Sequence, residues 1–368
     1  MANTTAPISD MSPLTGLRVL DFSHVIAGPF ATLYLAQLGA EVTKVEKPDG
    51  GDVMRASPTG AYQFAAFNAG KKCIELDLKS TEGRSEALRI AQECDVLVDN
   101  FRPGALERAG LGYAAVKAIN PTVIYCSISG NGTHHAPWKN RGAYDHVIQA
   151  ATGMAMMSGN EGEPPIKVGF PVIDVMSGVL AAFAIKAAVQ ERSRTGQGRH
   201  VDISMWSAAL QLVYPFSVSA LATCKSPGRV GNMGYSGSPA AEYFETLDGH
   251  IGPGANTPEQ IGKLFPLLGL SAADAAQHLE SGPGFARARD PKSFQDLLDG
   301  ALMARSNAMG GAAQCRWLSG SAGTKPRRVH QRDSCQRRAE PRRFEGGKHS
   351  DANARHGQDH NPLTKYTT

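Results

Sequence analysis

Paired cysteines are missing from this sequence. The six it has (Cys73, Cys94, Cys126, Cys224, Cys315 and Cys335) are scattered and form no C-x-x-C pair. That argues against a disulfide framework, leaves no metal site to expect, and fits free thiols in a reducing compartment. Residues 1–13 lack the basic start and apolar core of a secretory signal. The longest apolar stretch, 175–185, falls short of a bilayer span and runs into Lys186. The expected setting is cytoplasmic, with no membrane partner. A basic surplus is also lacking over most of the chain. Residues 303–368 hold 13 Lys/Arg against 5 Asp/Glu, which leaves 25 against 29 in residues 1–302. The net charge of +4 therefore belongs to the C-terminal segment, and nucleic acid is not an expected partner.

At 368 residues, with 42% hydrophobic and 20% charged side chains, the chain is long enough for two globular domains. The run LRVLDF at 17–22 reads as a strand, Gly28-Pro29 opens a helix that Gly39 closes, and EVTKVE at 41–46 is the next strand. Together they have the length of one right-handed βαβ unit. Further strands are expected at 73–76, 95–98, 123–129 and 200–204, with helices at 82–93, 143–157, 175–190 and from Trp206. The expected fold class is α/β. A large domain over 1–225 has a Rossmann-like, mainly parallel sheet, and a linker with a smaller α+β domain covers 226–302. The linker is rich in Gly, Ser and Pro around 224–239, and a strand pair around 243–251 turns at Asp248-Gly249. Residues 303–368 contain three Val/Ile/Leu and ten Arg, too little apolar surface to offset the entropy of ordering them. They are expected to be an aberrant basic tail, disordered or produced by a reading-frame shift near 304–307.

Ser23-His24 follows the first strand, where open α/β sheets bind nucleotides and phosphates at helix N-termini. Ala27-Gly28 permits close backbone approach there. The loop has no G-x-G-x-x-G fingerprint, so a nicotinamide oxidoreductase, which the βαβ start alone would allow, lacks its dinucleotide signature. A second feature is GFPVIDVMSG at 169–178, whose single carboxylate, Asp174, follows an apolar run and precedes an apolar helix. On the residues alone Asp174 reads as a helix N-cap. A helix N-terminus also helps keep a carboxylate ionised, so a chemical role is compatible with that reading.

Several longer phrases stand in order along the chain. They are PLTGLRVLDFSHVIAGP (13–29), LGAEVTKVE (38–46), Gly51-Asp52 with Arg55, Phe67-Asn68 leading to KKCIELDLK (71–79), DNFRPGALER (99–108) and Tyr144-Asp145. Over about residues 13–300 they resemble the class III coenzyme A transferases, a family that includes formyl-CoA transferase, carnitine CoA-transferase and the 2-methylacyl-CoA racemases. The resemblance implies coenzyme A and acyl-CoA as substrates with no permanently bound cofactor, a small carboxylic acid as co-substrate, and a homodimer of interlocked, ring-like subunits. It implies Asp174 as the nucleophile. It also implies that His24, Val25 and Ala27 line the CoA near strand one, that Lys47, Lys79 and Arg108 meet its phosphates, and that Leu76, Asn100 and Phe101 surround the nucleotide. Tyr144 and Asp145 are candidate substrate-site residues.

The implied chemistry is nucleophilic catalysis. The carboxylate attacks the acyl-CoA thioester to give a mixed anhydride and CoA thiolate, and the thiolate then attacks the aspartyl carbonyl to leave an aspartyl-CoA thioester. An acceptor acid reverses the sequence, with glycine-rich backbone expected near the oxyanion. Lys47 stands where some members carry arginine, so a point charge replaces a bidentate fork. Ile26 stands where formyl-CoA transferase has glutamine, which argues against formyl or oxalyl specificity. Where the racemases carry Gly-His-Asp, this chain has Ala143-Tyr144-Asp145, and a tyrosine is a poor base at neutral pH. His146 is expected on another side of the helix. A transferase is therefore expected ahead of a 2-methylacyl-CoA racemase, and an inactive, truncated or frame-shifted family member is the remaining alternative.

Overall fold

Six short strands form one parallel sheet in the computed structural model of the chain. They are β1 (Arg18–Asp21), β2 (Glu41–Glu46), β3 (Lys72–Glu75), β4 (Val96–Asp99), β5 (Ile124–Ser129) and β6 (Arg199–Ser204). Their order is β3-β2-β1-β4-β5-β6, so the winding reverses between β1 and β4. The structure describes residues 12–133, 138, 141–234, 236–305 and 316–318. The helices in chain order are α1 (Ala27–Gln37), α2 (Gly60–Phe67), α3 (Thr81–Glu93), α4 (Ala105–Arg108), α5 (Tyr113–Ile119), α6 (Asp145–Ala151), α7 (Val172–Thr195), α8 (Met205–Leu212), α9 (Tyr214–Thr223), α10 (Pro258–Leu267), α11 (Ala272–His278) and α12 (Pro291–Met303).

Side chains alternate across the strands and fill two cores. Val19, Val42, Val96, Val98 and Ile124 face α1 and α7, whereas Leu20, Val45, Ile74, Leu97 and Tyr125 face α3 and α5. Burial on both faces explains why β4 reads as the uninterrupted apolar run VLV. Helix α1 stops where Gly39 takes φ +97°, the left-handed turn that its glycine allows.

Helix α7 is longer than the sequence suggests. Asp145 satisfies its first amides, Arg192 ties its last turn to Asp95 at 3.1 Å, and Gly196 closes it at φ +69°. Its 24 residues are by length and composition sufficient to cross a membrane, which corrects the expectation from 175–185. Here Ala181, Ile185 and Ala188 pack on the sheet and α1, as in a core helix. The helix expected over 143–157 is broken by Gly153 at φ +79°, which leaves α6 and a single 3-10 turn, Met154–Met156.

A second, antiparallel sheet runs β7 (Phe244–Thr246), β8 (Gly249–Gly252), β9 (Arg316–Leu318). With α10 and α12 it encloses its own core around Phe244, Ile251, Phe265, Phe294 and Leu298. Of the expected 303–368 tail, only residues 303–305 and β9 are described; the rest lies outside the described residues.

Candidate active site

The winding reverses between β1 and β4, the topological position at which open α/β sheets bind ligands. Asn100 ties together the loops that leave these two strands. Its carboxamide accepts the His24 amide at 2.9 Å and donates to the His24 carbonyl at 2.7 Å, so both backbone groups of His24 are held by one side chain. The imidazole rests against Phe101, with centroids 5.1 Å apart, and its Nδ1 is buried with no hydrogen-bond partner among the described residues. Burial above all holds the His24 pKa below its usual value, which favours a neutral ring. Val25 then takes φ +65°, an uncommon conformation for a β-branched residue, and Ala27 opens α1. A Cβ on Gly28 would lie 2.1 Å from that of Ser23, so only glycine fits this close return of the chain.

A buried network of charges lies beneath the loop. Asp21 accepts from Thr32 Oγ1 at 2.6 Å, from the Ser23 amide at 2.9 Å and from the Ser23 hydroxyl, and pairs with Lys71 at 3.2 Å. Burial would raise its pKa, but Lys71 and Lys44 outweigh burial and hold it at about 2. Lys44 donates to the Ser23 carbonyl at 2.5 Å and pairs with Asp52 at 3.2 Å. Both Asp52 oxygens accept the Val25 amide at 3.2 Å. The Asp52 amide donates to Glu46, which Arg55 grips bidentately at 2.8 and 2.7 Å while lying 3.7 Å over the Phe64 ring. The Gly51-Asp52 and Arg55 phrase is thus the outer support of the β1–α1 loop. A cavity of about 330 Å³ opens beside it between Arg55, Cys73 and Glu75.

Parallel strands put every carboxyl end on one edge of the sheet. Lys47 follows β2, Leu76 and Lys79 follow β3, Asn100 and Phe101 follow β4, and Arg108 ends α4. Lys47, Lys79 and Arg108 are exposed there, while Leu76 is half-buried in the core under α3. Direct contact joins His24, Asn100 and Phe101; Lys47 and Lys79 follow strand ends on the same edge, and Arg108 ends the helix after β4.

Asp174 sits in the first turn of α7. One turn later, a Cβ on Gly178 would lie 2.7 Å from the Ala27 carbonyl oxygen, so α7 crosses the start of α1 at near backbone contact. Residues i and i+4 share a helix face, which puts Asp174 on the stripe that approaches the β1–α1 loop. Asp174 is not the N-cap. The helix begins at Val172 behind Pro171, and Asp145 of α6 caps it from outside, accepting the amides of Ile173 at 2.7 Å and Asp174 at 3.0 Å. No local signal marks this pairing, because the partners are 29 residues apart. Burial first, and then the Asp145 charge, push the Asp174 carboxyl up to about 7. The helix end alone would keep it ionised; desolvation and the like charge prevail.

Tyr144 precedes α6 and is 67% exposed, with its ring parallel to that of His146 at 6.0 Å. The two rings share a side because Tyr144 has an extended cap conformation (φ −122°, ψ 159°), to which helical spacing does not apply.

Residues 14–311 match the family model described as CoA-transferase family III. The chain is 35% identical over 291 residues to an acyl-CoA transferase of Fusarium pseudograminearum, covering 75% of this chain and 62% of that one. It is 36% identical over 275 residues to a succinyl-CoA:glutarate CoA-transferase of Mus musculus, covering 73% and 63%. The chain thus spans less than two thirds of the length of these curated relatives. Among solved structures, a CAIB/BAIF family protein from Brucella suis superposes with a TM-score of 0.71 at 31% identity, covering 83% of each chain.

Proposed function

The chain belongs to CoA-transferase family III, and on that premise we propose that it moves coenzyme A from an acyl-CoA to a small carboxylic acid through a covalent intermediate on Asp174. The packing of Gly178 on Ala27, which brings the first turn of α7 to the β1–α1 loop, supports this reading most. Lys47, Lys79 and Arg108 receive the phosphates. Leu76, Asn100 and Phe101 flank the nucleotide, and the CoA arm runs past His24, Val25 and Ala27 towards Asp174.

Asp174 attacks the thioester carbonyl, forming an acyl-aspartyl anhydride and releasing CoA thiolate. The thiolate attacks the aspartyl carbonyl, the donor acid leaves as its carboxylate, and an aspartyl-CoA thioester remains. The acceptor carboxylate attacks that thioester, and the thiolate it releases takes the acceptor acyl group, which restores Asp174. Burial, and then the like charge of Asp145, raise the basicity of the attacking carboxylate. The glutarate enzyme among the relatives favours a dicarboxylic acid as acceptor.

In this reading residues 1–225 carry CoA and the chemistry, 226–302 form the linker and smaller domain, and the chain acts as a homodimer with interlocked subunits. The exposed Phe183, Tyr214 and Leu221 of α7 and α9, at 74%, 60% and 82%, support a covering partner. The test is to incubate the purified chain with succinyl-CoA and a panel of acids, and to separate the CoA esters. A new ester formed with a dicarboxylic acid supports the transferase. Deuterium exchange at the α-carbon of a 2-methylacyl-CoA, without ester exchange, would support racemase chemistry instead.

A further inference from the structure

The β1–α1 loop is strained at one residue, and that residue is tied on each side. Val25 takes φ +65°, where a β-branched side chain crowds its own backbone. Such conformations persist when surrounding contacts over-determine them, and they gather at ligand-binding positions. His24, the residue before it, has its amide and carbonyl both held by Asn100. The Val25 amide itself is held by Asp52 through both carboxylate oxygens at 3.2 Å.

Asp52 is fixed in turn from three directions. Lys44 pairs with it at 3.2 Å, with both side chains only 1% exposed. Its own amide donates to Glu46 at 2.8 Å, and one oxygen also accepts the Met54 amide at 3.1 Å. The turn that delivers it needs Gly51, whose φ is +59° and whose Cβ would lie 2.3 Å from Glu46 Oε2. Lys44 also donates to the Ser23 carbonyl, so one buried ion pair grips the loop at Ser23 and at Val25.

We infer that Asp52 is a positioning residue for acyl-CoA, holding Val25 in its left-handed conformation so that the loop from His24 to Ala27 is pre-shaped before the substrate arrives. This rests on the proposed CoA-transferase reading and adds to it a residue outside the site itself. Pre-ordering removes a cost that binding would otherwise carry, so it acts on acyl-CoA affinity.

The test uses the full chain. Removing Asp52 alone strands the Lys44 ammonium in the interior, so Asp52→Ala is combined with Lys44→Met, which removes both charges. This pair is made with valine and with glycine at position 25, since glycine adopts positive φ readily. With valine, KM for acyl-CoA is expected to rise ~10-fold with a smaller change in kcat, because the lost order falls on binding. With glycine, the same removal is expected to cost several-fold less, since the strain that Asp52 opposes is gone. Equal losses with valine and glycine would overturn the inference.

Amide hydrogen exchange provides a readout independent of turnover. Val25 is expected to exchange slowly in the native chain and in Asp52→Asn/Lys44→Met, whose carboxamide oxygen still accepts, and fast in Asp52→Ala/Lys44→Met. A Val25 amide that stays protected in the double variant would also overturn it. If the native chain binds no acyl-CoA, the functional reading fails and the exchange result still decides whether Asp52 holds the loop.

Discussion

Asp145 accepts the backbone amide of Asp174 at 3.0 Å, so one carboxylate caps the helix whose first turn carries the other. The arrangement is paid for in electrostatics. Burial first, and then this like charge, push Asp174 up to about 7. A carboxylate is needed for attack, so kcat/KM for transfer is expected to rise with pH through about 7 and then level off. A pH–rate profile checks this; a plateau already reached at pH 5 would contradict it.

The same shift has a consequence for stability. The folded Asp174 carboxyl binds its proton more tightly than the unfolded one, so stability falls as pH rises from the unfolded value near 3.8 through about 7. Asp174→Asn removes that penalty. At pH 8 the variant is expected to gain on the order of 4 kcal/mol in denaturant unfolding. Near pH 4 it should differ little from the native chain.

Asp145 combines a cap with a charge, and two substitutions separate them. Asp145→Asn keeps an acceptor for the α7 amides but removes the negative charge, so the pH–rate midpoint is expected to move to lower pH with little loss of stability. Asp145→Ala removes both, and it is expected to lose about 1 kcal/mol as a lost cap. Midpoints that coincide with the native one in both variants would show that Asp145 does not act on Asp174.

Lys71 neutralises the fully buried Asp21. Lys71→Met leaves that carboxylate without its ion-pair partner and is expected to cost about 3–5 kcal/mol in urea unfolding. Adding Asp21→Asn should recover much of the loss. Since Asp21 is held at about 2, below its unfolded value, its contribution is present above about pH 4 and fades as pH falls through 2.

The centre of the sheet is legible in the sequence because β4 is a short apolar run buried on both faces, and α1 because Pro29 and Gly39 punctuate it. That Lys47 and Lys79 follow strand ends on one edge follows from parallel winding alone. What could not be read are the long-range partnerships. The three extra residues at the start of α7 depend on Asp145, and the conformation of Val25 depends on Asp52, 27 residues away. The third strand of the small sheet, β9, pairs with β8 from a segment whose composition suggested no structure. In each case a local pattern was completed by a distant side chain or strand.

In the proposed mechanism Asp174 is the residue that carries CoA. The most direct measurement is mass spectrometry of the chain incubated with succinyl-CoA and digested after hydroxylamine trapping. A hydroxamate on the peptide containing Asp174, absent from Asp174→Asn, is the predicted result. Ester exchange that proceeds without any adduct on that peptide, or that survives in Asp174→Asn, would contradict the account.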